Sequence, residues 1–214
     1  MSGLEETKEK QEVNRKSSYH HGDLRHQLVE ATRQLVEEKG PDKFSVSEAC
    51  RAAGVSTAAP YRHFTDKQDM LLAVAIDGMQ RMRERMTEAS GKQDHGSLER
   101  VVAIGIVYID FAVREPGVFR LMFGLTEEHD DNPEIKAAGE KCHGVLLADV
   151  AAYLRKPMVD AEVLNLSFPL WTMVHGTSFL LIDRKVKVME LEPDIPAMLR
   201  RSTERLLGPR PLAP

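Results

Sequence analysis

Cysteine is scarce in this chain, and long hydrophobic runs are absent. There are two cysteines, Cys50 and Cys142, too few for a disulfide framework, so we expect a protein of the reducing cytoplasm. Asp, Arg or His interrupts every apolar stretch well before the roughly 18 residues of a membrane helix, which excludes a membrane span. Residues 1–18 are charged and have no apolar core, so they do not resemble a signal peptide.

No charge and no single residue type dominates the composition. The 29 Lys and Arg residues stand against 33 Asp and Glu, and this net charge of −4 argues against a protein that coats RNA. It leaves room for a locally basic surface that binds DNA. Together with the 14 glycines, the hydrophobic share of 42% rises to about 49%, which is usual for a globular chain and excludes collagen-like or disordered compositions. The length of 214 residues fits one elongated domain, or a small domain joined to a larger one.

Apolar residues recur at helical spacing along most of the chain, and no stretch has the alternation of a strand. A first helix begins near Leu24 and ends at Gly40, and a long helix capped by Asp66 runs from Lys67 to about Ala89. Further helices are predicted at 98–114, 117–123, 133–155, 160–184 and 194–207. Pro169 lies within the helix at 160–184, which either kinks there, the alternative we favour, or begins at about Phe168.

The segment between the first and the long helix has the outline of a helix-turn-helix. Ser45 and Glu48 form a capping box for a short helix that ends before Gly54. Ser56 or Thr57 then caps a second short helix that reaches Phe64. Such a second helix can enter the major groove of DNA and place the residues near its start against base edges.

These residues resemble the signature of the TetR family of transcription regulators, which has the approximate form GVS…YxHFxxKxxLL. The matching positions are Gly54-Val55-Ser56, Tyr61-Arg62-His63-Phe64, Lys67 and Leu71. Residues 19–25 are similar to the opening of one subgroup, and residues 119–124 and 171–176 are similar to the WHG-type C-terminal domain of that subgroup. The likeness covers about residues 19–207. Many family members have Leu where Pro60 stands, which leaves open which side chain reads which base.

The expected fold is all-α, with an N-terminal three-helix helix-turn-helix domain and a larger C-terminal helical domain for ligand binding and dimerisation. We place a disordered tail at 1–18, the DNA-binding domain at 19–66, the ligand-binding and dimerisation domain at 67–208 and a flexible tail at 209–214. The partners expected are a roughly palindromic double-stranded DNA operator, a small-molecule effector and a second copy of the chain. No cofactor is expected.

Each function has its own candidate residues. For DNA, Thr57 and Arg62 are placed to read bases, while Tyr61, His63 and Lys67 are placed to bind phosphates. The remaining DNA-binding candidates are Ser45, Arg51, Ser56, Ala58, Lys16 and His20. The candidates for a ligand pocket are Tyr108, Phe111, Met122, Phe123, Phe168, Trp171 and His175. Those for the dimer interface are Gly176, Phe179, Ile195, Met198, Leu199, Ser202 and Leu206.

Other chemistry finds little support in the sequence. His20 and His21 cannot easily chelate one ion from adjacent positions, so they form either an arm that touches DNA or a solvated segment. The residue types of a Cys–His catalytic pair or a metal site occur at Cys142, His143 and His175, but no group that would orient them is evident. His175 itself is either a core histidine or a ligand contact. We therefore expect no metal site and no enzyme.

Four functions remain to be compared. The favoured one is a dimeric repressor that an apolar or aromatic effector releases from DNA. An activator, or a DNA-binding regulator without a ligand, is the alternative. An interaction protein that has lost DNA binding is disfavoured because Tyr61, His63 and Lys67 are present. A small helical enzyme would need a nucleophile with its base, or paired carboxylates, and no such motif occurs.

Overall fold

The computed structural model of the chain describes residues 24–124 and 132–211. Every regular element in these two ranges is helical, which confirms the all-α prediction. The predicted tail at 1–18, with Lys16, and the candidate His20 lie outside the described residues, as do residues 212–214.

The chain divides into two compact units, the first ending at Val74 and the second beginning at Ala75. The predicted boundary at 66 is eight residues earlier. About two turns of the long helix belong to the first unit. At their start, the Lys67 ammonium lies 4.4 Å from the centre of the Phe44 ring and donates to the Asp42 carbonyl.

The first unit contains the predicted three-helix segment. Helix α1 covers 24–39 among the described residues, α2 covers Val46–Ala52, and a single 3-10 turn follows at Pro60–Arg62. Helix α3, Lys67–Gly91, begins in this unit and continues into the second. Asp66 caps α3, as predicted, because its carboxylate accepts a hydrogen bond from the Asp69 N–H at 2.9 Å. The core of this unit includes Leu28, Leu35, Phe44, Cys50 and Phe64.

The second unit consists of the rest of α3 and six further helices among the described residues. These are α4 Leu98–Arg114, α5 Pro116–Gly124, α6 Pro133–Tyr153, α7 Ala161–Ile182, α8 Lys185–Val188 and α9 Ile195–Leu207. The sequence did not predict α8, which is only one turn long. Helix α7 is continuous through Pro169, so the alternative that it begins at Phe168 is wrong.

Helix α4 is the central element of the second unit and contacts α5, α6, α7 and α9. Gly105 makes the close approach to α7 and α9 possible. A Cβ atom there would lie 3.3 Å from Val174 and 3.4 Å from Leu199. The half-buried Arg100 on the same helix pairs with the buried Asp149 at 2.6 Å and thereby joins α4 to α6.

The chain end that follows α9 is held against the second unit. The Tyr153 hydroxyl donates to the Gly208 carbonyl at 2.7 Å, and Arg155 Nε donates to the Pro211 carbonyl at 2.7 Å. Within the stretch predicted as a flexible tail, Pro211 thus contacts Arg155.

Candidate functional site

The start of α2 is fixed by the capping box that the sequence predicted. Ser45 Oγ accepts from the Glu48 N–H at 3.3 Å, and Glu48 accepts from the Ser45 N–H at 2.9 Å. Lys39 donates to the other oxygen of Glu48 at 2.7 Å. The hydrogen bond from Lys39, followed by those from Ser45, lowers the pKa of Glu48 from 4.5 to about 2.

The turn after α2 depends on Gly54, which adopts a φ of +69° that residues with a side chain rarely take. The second short helix predicted from Ser56 or Thr57 to Phe64 is reduced to the 3-10 turn Pro60–Arg62. Two features account for this correction. Ala59 N–H closes a separate turn onto the Ser56 carbonyl, and Pro60 has no N–H to continue a helical ladder from it.

This turn leaves a polar surface facing solvent, which we call the helix-turn-helix surface. Tyr61 is 65% exposed, although it lies only three residues from the buried Phe64. His63 is half-buried. The exposed members of the surface are Arg51, Ser56, Thr57, Ala58, Tyr61 and Arg62, with Ser45 exposed at the start of α2. All the described DNA-binding candidates other than His63 and Lys67 are thus exposed to solvent.

Lys67 differs from these residues because its side chain already has partners. Its ammonium lies over the Phe44 ring and 3.3 Å from the Asp42 carbonyl. An ammonium has three donors, so contact with a phosphate is compatible with this geometry. Lys67 therefore also ties the start of α3 to the loop between α1 and α2.

The second unit encloses a cavity of about 310 Å³. One side of it is formed by three buried methionines on α3, at 79, 82 and 86, and the opposite sides by α4, α6, α7 and α9. The other lining residues with apolar side chains include Val101, Val102, Ile104, Leu146, Leu170, Met173, Val174 and Leu199. None of the described lining residues is Lys or Arg. Methionine-rich apolar walls suit an adaptable ligand site.

Three of the predicted ligand residues line this cavity, namely Tyr108, Phe123 and Trp171. The Tyr108 hydroxyl is 2.9 Å from His175 Nδ1 and accepts from Trp171 Nε1 at 3.4 Å. Burial raises the pKa of Tyr108 and lowers that of His175, so both groups are neutral near pH 7. His175 itself does not line the cavity, but it hydrogen-bonds the lining residue Tyr108.

The other predicted ligand residues lie elsewhere. Phe111 is fully buried, with the guanidinium groups of Arg81 and Arg85 within 6 Å of its ring centre at 5.5 and 5.9 Å. Met122 is buried where α5 meets Gly78 of α3. Phe168 is 59% exposed on α7. Helical spacing did not show in which direction these three side chains face, and none of them lines the cavity.

Sequence patterns did not predict the methionine wall or the contribution of α6 to the cavity. Met79, Met82 and Met86 follow one another at steps of three and four on α3, which is a usable signal for one helix face. Cys142 and His143 line the cavity from α6. Burial raises the pKa of the Cys142 thiol to about 12 and lowers that of His143. A thiol held in its protonated form is a poor nucleophile, which argues against a Cys–His catalytic pair.

A second surface of this unit is apolar and exposed. On α7, residues at steps of four face solvent, namely Leu164, Phe168, Thr172, Gly176 and Leu180. The half-buried Ile195, Met198 and Ser202 and the exposed Leu206 lie on α9. We call these residues the α7–α9 face. Of the other predicted interface residues, Leu199 is buried beside Gly105, and Phe179 packs 5.5 Å from the Phe119 ring. Leu199 is thus a core residue.

Neither a metal site nor a membrane helix occurs among the described residues. In the ranges 24–124 and 132–211, no group of three or more His, Cys, Asp or Glu side chains is placed to hold a metal ion. No helix within those same ranges combines the length and apolar character needed to cross a bilayer.

Comparison with known proteins gives two matching family models. Residues 28–74 match the model for bacterial regulatory proteins of the tetR family, and residues 101–206 match the tetracyclin repressor-like C-terminal domain. An uncharacterized HTH-type transcriptional regulator of Haemophilus influenzae is 30% identical over 132 residues, which are 61% of this chain and 62% of the relative. The chain thus spans about three fifths of the length of that relative.

Solved structures agree in fold. A protein with unknown function from Rhodococcus sp. RHA1 has a TM-score of 0.73 at 23% identity, covering 88% of this chain and 96% of its own. A tetR-family transcriptional regulator from Streptomyces coelicolor has a TM-score of 0.66 at 16% identity, covering 86% and 79%. With both units matched by family models, the chain belongs to the TetR family of bacterial regulatory proteins.

Proposed function

We propose that the chain is a homodimeric repressor that binds a roughly palindromic operator and leaves it when a small apolar or aromatic effector occupies the second unit. The observation that carries this proposal is the apolar cavity of about 310 Å³ in a family of DNA-binding regulators. Burial of an apolar ligand in such a space is favourable by roughly 25 cal/mol for each Å² removed from water. Effector binding therefore needs few polar contacts.

Helix α3 supports the link between effector and DNA. Its first residue, Lys67, contacts the loop between α1 and α2, and Met79, Met82 and Met86 further along the same helix line the cavity. A ligand that moves the methionines acts on a helix whose start belongs to the DNA-binding unit. Effector and DNA then oppose each other, and by linkage each lowers the affinity of the other by the same factor.

The α7–α9 face supports the homodimer. Leu164, Phe168 and Leu180 are each about half exposed, which is an unusual state for large apolar side chains in one surface region. A second copy of the chain is the occupant we propose, because two helices from each copy form a four-helix interface with twofold symmetry. A palindromic operator matches that symmetry.

On the helix-turn-helix surface, Arg62 and Thr57 are proposed to read bases, and Tyr61, His63 and Lys67 to contact phosphates. Arg51, Ser56 and Ala58 border them and are proposed as further contacts, with Ser45 at the α2 terminus. The exposure of Arg62 and Thr57 supports their role, since a base-reading side chain must reach the groove without unfolding its own core.

Selection of binding sites from random duplexes, followed by footprinting, tests the proposal. We expect two protected half-sites about 34–36 Å apart, or a multiple of that spacing. Compounds that change the emission of Trp171, the one tryptophan of the chain, are then titrated against the protein–DNA complex. Release of DNA at the concentration that changes the emission supports the repressor mechanism. Protection of one asymmetric site by a monomer contradicts the dimer.

A reporter gene placed behind the selected site separates the two directions of regulation. A repressor lowers expression until the effector is added. The alternative is an activator or a regulator without ligand. An activator would not reduce expression. A regulator without ligand would give an expression level that no compound reaching the cavity changes.

A further inference from the structure

One polar atom in the cavity wall has no partner in the protein. His143 lines the cavity from α6, and its Nε2 is buried with no hydrogen-bonding group of the described protein atoms in reach. Its ring centre lies 5.5 Å from that of Trp171, another lining residue. Buried polar side-chain atoms are nearly always hydrogen-bonded, so an orphan beside a ligand cavity marks the place for a ligand group.

The neighbouring polar groups are already engaged. Trp171 Nε1 can only donate, so the Tyr108 oxygen accepts from it. Tyr108 also hydrogen-bonds His175 Nδ1 at 2.9 Å, as donor or acceptor according to the tautomer of His175. Tyr108 thus has two partners within the protein, which distinguishes it from His143, whose Nε2 has none.

The charge of the wall restricts the ligand further. Among the described lining residues the one carboxylate is Glu140, and Lys and Arg are missing from the lining. A buried anion would have no Lys or Arg among the lining residues to pair with, although Arg83 is close enough to act on Cys142, and it would face the Glu140 carboxylate, so anionic ligands are disfavoured. A buried cation is disfavoured as well, because the mainly apolar surroundings would not replace the water around its charge.

We propose that the cavity accepts an uncharged apolar molecule carrying one hydroxyl group, and that His143 is the residue that selects for the hydroxyl. A hydroxyl both donates and accepts, so it satisfies Nε2 in either tautomer of the neutral ring. The volume of about 310 Å³ corresponds to roughly ten water-sized groups at about 30 Å³ each. This inference rests on the proposed effector role of the cavity, and it adds the chemical class of the effector.

Matched probes that do not absorb in the tryptophan range test the selection. These are 4-tert-butylcyclohexanol, tert-butylcyclohexane and 4-tert-butylcyclohexanecarboxylate, which share one apolar frame. Affinities come from Trp171 emission in the wild-type protein and in H143L, H143Q and M173L. Circular dichroism establishes that each variant is folded, and M173L is the control for a change in the wall that involves no polar group.

We expect the alcohol to bind the wild-type protein and the carboxylate to bind at least tenfold more weakly. H143L should weaken the alcohol about tenfold or more while leaving the hydrocarbon unchanged or tighter, because the buried hydroxyl loses its partner. H143Q should retain much of the alcohol affinity, since an amide also donates and accepts. M173L should change both ligands by a similar factor.

Equal effects of H143L on the alcohol and the hydrocarbon, or failure of the alcohol to bind the wild-type protein, would overturn the inference. A parallel titration of the protein–DNA complex keeps the two proposals apart. Release of DNA by the alcohol with equal potency in wild type and H143L would reject the role of His143 and leave the repressor mechanism intact. A His143-dependent affinity without DNA release would support the site and reject the effector mechanism.

Discussion

The Tyr108 hydroxyl and His175 Nδ1 lie 2.9 Å apart and join α4 to α7 beside the cavity. The aromatic cluster around them includes Phe119 and Phe123, whose ring centres are 5.8 and 4.7 Å from that of His175. A protonated imidazole would be poorly solvated among these rings, and this burial lowers the pKa of His175. His175 is therefore neutral near pH 7, and its tautomer decides which of the two groups donates.

The first prediction concerns pH. Burial lowers the pKa of both His143 and His175 from 6.5. Below that value the unfolded chain binds more protons than the folded one, so stability is fully present above about pH 6.5 and falls as the pH is lowered. Urea denaturation from about pH 5 to 8 should show this loss in wild type and a flatter profile in the double variant His143→Gln, His175→Gln. An unchanged profile in the double variant would contradict the assignment.

The second prediction concerns the capping box of α2. The Glu48 pKa is lowered from 4.5 to about 2, so its contribution is present above about pH 4.5 and is lost as the pH falls towards 2. Glu48→Gln should destabilise the first unit at neutral pH and remove this part of the acid dependence. Lys39→Met removes the main cause of the shift and should raise the midpoint of the acid transition. The measurement is helicity against pH, and identical curves for all three proteins would argue against the box.

The third prediction concerns the cysteines. Cys142 and Cys50 are 6% and 1% exposed, and burial raises the pKa of both thiols, that of Cys142 to about 12. Since the thiolate is the reactive form, both should resist alkylation in the native protein at about pH 8 and react readily in urea. Mass spectrometry after iodoacetamide treatment measures this. Labelling of native Cys142 at the rate of a free thiol would show that the cavity wall opens.

The fourth prediction separates base contacts from phosphate contacts. Arg62→Ala should relax base preference at a cost of about 1–3 kcal/mol if Arg62 reads guanine. Tyr61→Phe and Lys67→Ala should weaken all sequences about equally, and Lys67→Ala should make the salt dependence shallower by about 1 in slope. Arg201→Ala, an exposed arginine on α9, is the control. Unchanged base preference in Arg62→Ala would move the reading role to Thr57.

The fifth prediction concerns the dimer. Leu180 on the α7–α9 face and Leu191 after α8 are 50% and 53% exposed, which makes them a matched pair. Leu180→Glu should produce monomers because two desolvated carboxylates would meet at the interface, whereas Leu191→Glu should leave the dimer intact. Light scattering after size exclusion gives the mass. A dimer that survives Leu180→Glu would require a different interface.

Local signals predicted the starts of α2 and α3 because a side chain caps each of these helices. Ser45 with Glu48 predicted the start of α2, and the positive φ of Gly54 was predicted from its place between two short segments. Pro60 was recognised as a departure, but the sequence did not show that it would reduce the second helix to a 3-10 turn. That outcome depends on the separate turn closed by Ser56 and Ala59.

The second unit was predictable in its helices but less so in its cavity. Helix α7 is apolar around most of its circumference, since one side packs against α4 and another carries the exposed face. Phe168 and Trp171 therefore look alike in the sequence, although one faces solvent and the other lines the cavity. Leu199 and Leu206 on α9 show the same ambiguity. Which side is buried depends on neighbouring helices distant in the chain.

Gly105 limits which substitutions the second unit can accept in evolution. The residue lines the cavity and is also the point where α4 approaches Val174 and Leu199, on the two helices that carry the α7–α9 face. A methyl group added there would reduce the cavity and press against both helices at once. The size of the cavity and the seating of both helices of the proposed dimer face thus depend on one position, so an evolutionary change that filled it to suit a smaller ligand would also shift Val174 and Leu199 beneath that face.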